Sequence, residues 1–171
     1  EICVSTDSMT YKEYQECRSF NLTVEIFVND ALFYDLIQYL NQKNISAAKF
    51  IKNVHEYAIK NSEKIRKLYK DYEEEEKNNF WSDRKKFENF LKSPEVIKRY
   101  IDGELGTNEI YKYRSIAVFY NMEELHNIVY KVARSLLPKN GSNSEVEKKY
   151  LDELYEFSLL RKKDFFNIDF K

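Results

Sequence analysis

Turn-forming residues are scarce in this chain, which has 3 Gly and 2 Pro in 171 residues. That scarcity excludes a turn-rich β-sandwich and, beside 33% charged residues, favours helices. Cysteine is as rare, with only Cys3 and Cys17. A chain of this length can bury a core without staples, so no disulfide framework is expected, and a reducing cytoplasm is the expected compartment. No apolar run approaches the roughly 20 residues of a membrane span, so neither a span nor a membrane partner is expected. The first residues also lack the basic-then-apolar mark of a secretory leader, which an excised region could have lost. Asn21-Leu22-Thr23, Asn44-Ile45-Ser46 and Asn140-Gly141-Ser142 match the glycosylation pattern, but in an Asn-rich chain they say little about export. A net charge of −1 offers no general field for nucleic acid, and none is expected as a partner.

What the chain does have is apolar surface: 43% hydrophobic and 16% aromatic residues, too much for a disordered tail. A single helical domain over 1–171 is expected. Charge is uneven along it. Residues 43–70 carry eight Lys/Arg against Glu56 and Glu63, whereas 71–79 carry Asp71 and Glu73 to Glu76 against Lys77. The basic stretch suits an acidic partner. The plainer expectation is a solvated face paired with the acidic block beside it.

Thr10 with Glu13 three residues later marks a helix start. Beyond it, Tyr14, Cys17, Phe20, Val24 and Phe27 share a helical face, while Phe20, Leu22, Val24, Ile26 and Val28 alternate as in a strand. A helix over 11–28 is expected. Asp30 is then expected to cap a helix with Leu32, Phe33, Leu36, Ile37 and Leu40 inward. Asn44 or Ser46 opens the next, around Phe50, Ile51, Val54, Tyr57 and Ala58, and Ser62 restarts or bends it before Ile65, Leu68, Tyr69 and Tyr72. Ser82 is expected to cap a short helix holding Phe87, Phe90 and Leu91. Ser93-Pro94 begins another, with Val96, Ile97, Tyr100 and Ile101, ending at Gly103 and Gly106. Thr107 and Asn121 start two more, the first around Ile110, Tyr113, Ile116, Ala117 and Tyr120, the second around Leu125, Ile128, Val129, Val132, Leu136 and Leu137. Residues 138–143 read as a loop before a last helix from Ser144, with Val146, Tyr150, Leu151, Leu154, Phe157 and Leu160 inward. Phe166, Ile168 and Phe170 alternate with polar residues as a short strand, expected to pair with Ile2–Ser5. The expected fold class is mainly α: a multi-helix array or bundle, with a short β element joining the two termini.

The run Val4-Ser5-Thr6-Asp7-Ser8-Met9-Thr10, continued by Tyr14, Glu16-Cys17-Arg18 and Phe20-Asn21-Leu22-Thr23-Val24-Glu25-Ile26-Phe27, resembles the junction that follows the catalytic barrel in cobalamin (B12)-binding-domain radical SAM proteins. The likeness is concentrated in 2–29, extends through the helix pair over 32–59 and fades beyond. It implies a C-terminal helical region whose partners, a radical SAM barrel and a B12-binding domain of the same chain, lie upstream of Glu1. The intact protein would use a 4Fe-4S cluster, S-adenosylmethionine and cobalamin, cleaving S-adenosylmethionine reductively to a radical. The helical region would cover the barrel mouth, shape a substrate cavity and keep out water. Tyr11, Tyr14, Arg18 and Glu25 are expected to face the barrel. The family holds its cluster through Cys-x3-Cys-x2-Cys, whereas here Cys3 and Cys17 stand fourteen apart with no third thiol. No cofactor is therefore expected on these residues themselves.

Other chemistries find little support in the residues. His55-Glu56 begins an HExxH-like string but has Ile59 where the second His belongs. Glu123-x-x-His126 is one copy of a motif that diiron bundles need twice. Glu25, in an apolar run, is either a carboxylate facing a substrate cavity or, more often in such a setting, one that points to solvent or to a nearby Arg such as Arg18 seven residues earlier. Tyr57, Lys64, Tyr69, Lys70 and Tyr72 loosely fit a base-stacking platform, although inward aromatic stripes are more simply core. The leading reading is a substrate-capping domain with no catalytic centre of its own. The alternative is a stand-alone helical protein-interaction module using the basic patch at 43–70, and a carboxylate–metal enzyme ranks third. An uncovered apolar face near 1–28 would mark the first of these.

Overall fold

The structure, a computed structural model, describes residues 5–138 and 144–162. Those residues are helical with one isolated bridge, between Thr6 and Met9. In chain order the helices are α1 (Tyr11–Phe27), α2 (Tyr34–Gln42), α3 (Ala47–Asn61), α4 (Glu63–Asn78), α5 (Arg84–Leu91), α6 (Pro94–Ile101), α7 (Glu109–Tyr120), α8 (Met122–Leu136) and α9 (Ser144–Leu160). The expected terminal strand pair and the loop at 138–143 lie outside the described residues, save for Ser5 and Pro138.

Local chemistry sets most of the boundaries. Thr10 and Glu13 close a full capping box, the Thr10 hydroxyl accepting from the Glu13 N–H and the Glu13 carboxylate accepting from the Thr10 N–H. Ser46 caps α3. Ser62 ends α3 and caps α4 in one residue, and its hydroxyl also donates to Glu124 of α8 at 2.5 Å. Three expected caps are displaced. Asp30 caps nothing: it sits in a 3-10 turn over Asn29–Ala31 at φ 63°, and α2 starts only at Tyr34, without a side-chain cap. Asp83 rather than Ser82 caps α5, and Asn108 rather than Thr107 caps α7. In each of those two cases the residue one position later has the carboxylate or amide that reaches the third N–H onward.

One buried cluster runs from Leu22 of α1 to Leu151 of α9. Helix α3 lies at its centre, packed on α8, α4, α1 and α2, while α7 closes over α1 and α4 and α9 lies on α8. Helix α4 carries Lys64, Lys67 and Lys70 ahead of Glu73 to Glu76. Its terminal acids bridge outward. Glu75 takes Lys112 at 2.7 Å and the Tyr113 hydroxyl at 2.9 Å, both from α7, and Glu76 takes Arg18 from α1. Helices α5 and α6 pack chiefly on each other, and no residue of either belongs to the central cluster. No helix among the described residues is long and apolar enough to cross a membrane.

Candidate functional site

The four residues expected to face a barrel are divided between two places. Tyr11 and Tyr14 both pack against Phe80, just past α4, with ring centroids 6.3 Å away. Arg18 donates from Nε to Glu76 at 2.7 Å. Glu25 lies at the far end of α1, where Arg114 of α7 approaches it at 3.7 Å and holds Asp30 at 3.0 Å. Arg18 is thus not the partner of Glu25: the two arginines come from different helices and serve different acids. Glu25 borders a cleft of about 480 Å³ with Asn29, Asp30, Leu32, Val118 and Lys162. Asp30 and Ala31 stand there at positive φ, held by the Arg114 contact on one side and by the start of α2 on the other. Among residues 5–28 no large apolar side chain is exposed.

Both histidines end in hydroxyl relays. The Thr23 hydroxyl lies 2.6 Å from His55 Nδ1 and 2.6 Å from the Tyr69 hydroxyl. One O–H satisfies both when Tyr69 donates to Thr23 and Thr23 donates to a neutral His55. Burial lowers the His55 pKa and raises that of Tyr69, so both stay neutral. His126, fully buried, donates from Nδ1 to the Met122 carbonyl at 2.8 Å and accepts from Ser158 at Nε2, 3.0 Å away. Lys162 then donates to the same Ser158 oxygen and to the Leu32 carbonyl. Ser158 and Lys162 have the composition of a nucleophile and base. But Ser158 is buried in the last turn of α9, where the neighbouring backbone N–H groups are spent on helix bonds and none is left for an oxyanion. The relay is a joint between α8, α9 and the entry to α2. His126 has both nitrogens engaged, and Glu123 of its Glu-x-x-His pattern points outward.

The basic stretch separates into two groups. Lys43 pairs with Glu147, Lys67 with Asp71, and Lys70 with Glu74, and Arg66 holds the Ile59 and Lys60 carbonyls. Lys49, Lys52, Lys60 and Lys64 are exposed with no ion-pair partner among the described residues. No large apolar residue between 43 and 80 is exposed beside them. Tyr69 and Tyr72 are core residues and Tyr57 packs against the core, so the loose stacking pattern is packing.

Apolar surface is uncovered instead on α5 and α6. Trp81, Phe87, Leu91, Ile97, Tyr100 and Ile101 are all exposed, Ile101 at 80%, although the sequence pattern places most of them inward. Two eight-residue helices are too short to enclose them, and only Val96 is buried. Trp81 meets the Phe87 and Phe90 rings at a tilt, with centroids 5.7 and 5.0 Å away, and with Phe80, Phe87 and Leu91 lines a cleft of about 950 Å³. Arg84 and Glu88 pair across its edge at 3.0 Å. Phe80 links this cleft to Tyr11 and Tyr14, which stand behind its wall. Lys85, Lys86, Lys92 and Lys98 lie along the same two-helix segment, exposed and without an ion-pair partner among the described residues. Sequence pattern alone misses this surface, because helical periodicity shows which residues share a face and not whether anything covers that face.

Compared with protein-family models, curated proteins and solved structures, the chain matches none.

Proposed function

We propose that this chain is a helical protein-docking module whose contact surface is the α5–α6 face. The observation that carries this is the set of Phe87, Leu91, Ile97, Tyr100 and Ile101, left exposed with Trp81 just before them on helices that add nothing to the core cluster. Contiguous apolar patches of this kind mark interaction sites, and aromatic anchors supply most of the energy of an interface. The Lys49–Lys64 cations have no such anchors, so they steer an encounter without holding it. The barrel-capping reading expects an uncovered apolar face near residues 1–28, and the absence of an exposed large apolar side chain from residues 5–28 supports the docking reading over it.

Photo-crosslinking in an extract of the native cell tests the proposal. A crosslinker placed at Leu91 or Ile97 should give discrete protein adducts, while one at Lys64 should give none. Equal yields at all three positions would sink it.

A further inference from the structure

We infer that the α5–α6 cradle of one molecule takes the outer stripe of α9 from a second copy of this chain. This rests on the docking role proposed above and names its occupant. Helix α9 has two apolar faces. Leu151, Leu154, Tyr155 and Ser158 turn inward, and Leu159 packs on the core beside them. Val146, Tyr150, Phe157 and Leu160 recur at helical spacing, with Glu153 in the same line, on the opposite side. All four apolar residues of that outer line are exposed, Leu160 at 78%. Tyr39 meets the Tyr150 ring at 4.7 Å and the Arg161 guanidinium lies 5.1 Å over Phe157, but a surface helix needs one apolar face, and the area left exposed on the second calls for a further cover.

The two uncovered surfaces complement each other in charge and shape. Residues 144–160 hold five acids, Glu145, Glu147, Asp152, Glu153 and Glu156, against Lys148 and Lys149. Glu145 and Glu156, on one flank of the outer stripe, have no ion-pair partner among the described residues. Residues 84–101 hold six cations, among them the unpaired lysines 85, 86, 92 and 98, against Glu88 and Glu95. An exposed helix is a convex ridge, and the cleft at Trp81 and Phe87 is concave with room of about 950 Å³. A flat anionic bilayer would meet the lysines but leave that hollow unfilled. The contact joins unlike surfaces, so two copies either close reciprocally into a pair or continue head to tail.

Sedimentation of the full chain across the micromolar range tests this. The wild type should exceed the 20.7 kDa monomer mass as concentration rises, and less so at high salt. Phe87→Glu spoils the cradle and Phe157→Lys spoils the ridge; each alone should remain monomeric with unchanged circular dichroism. Mixed together they should restore one interface, giving a pair and nothing larger. Ile101→Glu with Leu160→Lys is a second such set should either first variant fail to fold. A wild type that stays monomeric throughout, or an assembly that the cradle and ridge variants leave intact, overturns the inference. So does a mixture that fails to pair. A monomeric wild type that still crosslinks another protein through Leu91 leaves the docking role standing and removes only self-association; loss of both removes both.

Discussion

Thr23 brings one hydroxyl to two ring side chains from two other helices, and this makes it worth more than its size suggests. Thr23→Val keeps the shape but leaves Tyr69 and His55 without their partner. The expected loss is about 2–3 kcal/mol in urea unfolding, since a buried polar group left unpaired costs its desolvation. Tyr69→Phe leaves Thr23 bonded to His55 and should cost about 1 kcal/mol. Equal losses for the two would mean that the shared hydroxyl is not the joint. At this scale, neighbours in sequence are legible and distant partners are not. Thr10 and Glu13 announce their capping box because both ends lie within one turn. Arg18 gives no sign that it belongs to Glu76 rather than Glu25, because that choice is made by how α4 is laid across α1.

Elements were legible by type and start, and less so by surroundings. The final helix shows why: Val146, Tyr150, Leu151, Leu154, Phe157 and Leu160 read as one inward set, yet only Leu151 is buried and Leu154 half-buried. Two stripes on opposite sides of a helix merge into one generally apolar segment when read along the chain. The α5–α6 pair misleads in the same way, its apolar residues being real and its cover missing from the described residues. Its independence also has a measurable effect. Gly106 stands at φ 76°, and a Cβ there would lie 2.8 Å from the Tyr100 ring. That ring is exposed and can swing aside, so the backbone angle is the main obstacle to Gly106→Ala. The substitution should weaken the α6 turn by about 1 kcal/mol or more. It should appear as faster amide exchange in α6 with the global unfolding midpoint unchanged, because these helices lie outside the core cluster. A lowered global midpoint would show the hairpin to be part of the cooperative core.

The whole molecule should weaken in mild acid. Burial holds both histidine pKa values down, and for His126 the nearby Lys162 cation pushes the same way against the hydrogen bond to the Met122 carbonyl. Among the described residues the groups facing His126 are otherwise Phe33, Tyr130, Tyr155 and Ser158, none of them an acid, while at His55 the adjacent Glu56 opposes burial without outweighing it. A folded-state value below the unfolded one means that the unfolded chain takes the proton first. This stability is complete above the unfolded value of about 6.5 and is lost as pH falls below it toward the folded values. The urea midpoint should hold near neutrality and fall toward about pH 5, with proton uptake on unfolding. A midpoint that rises on acidification would contradict buried neutral histidines. Helix α4 has a related consequence. Most of its cations precede its acids, so apart from Glu63 in the first turn and Lys77 in the last the charges run against the helix dipole, and the Lys67–Asp71 and Lys70–Glu74 pairs stand in the weaker order. Taken alone, this segment gains little from the order of its charges. Arg18 and Lys112 meet its C-terminal acids from two neighbouring helices, which makes the last turn of α4 a keystone held between two abutments.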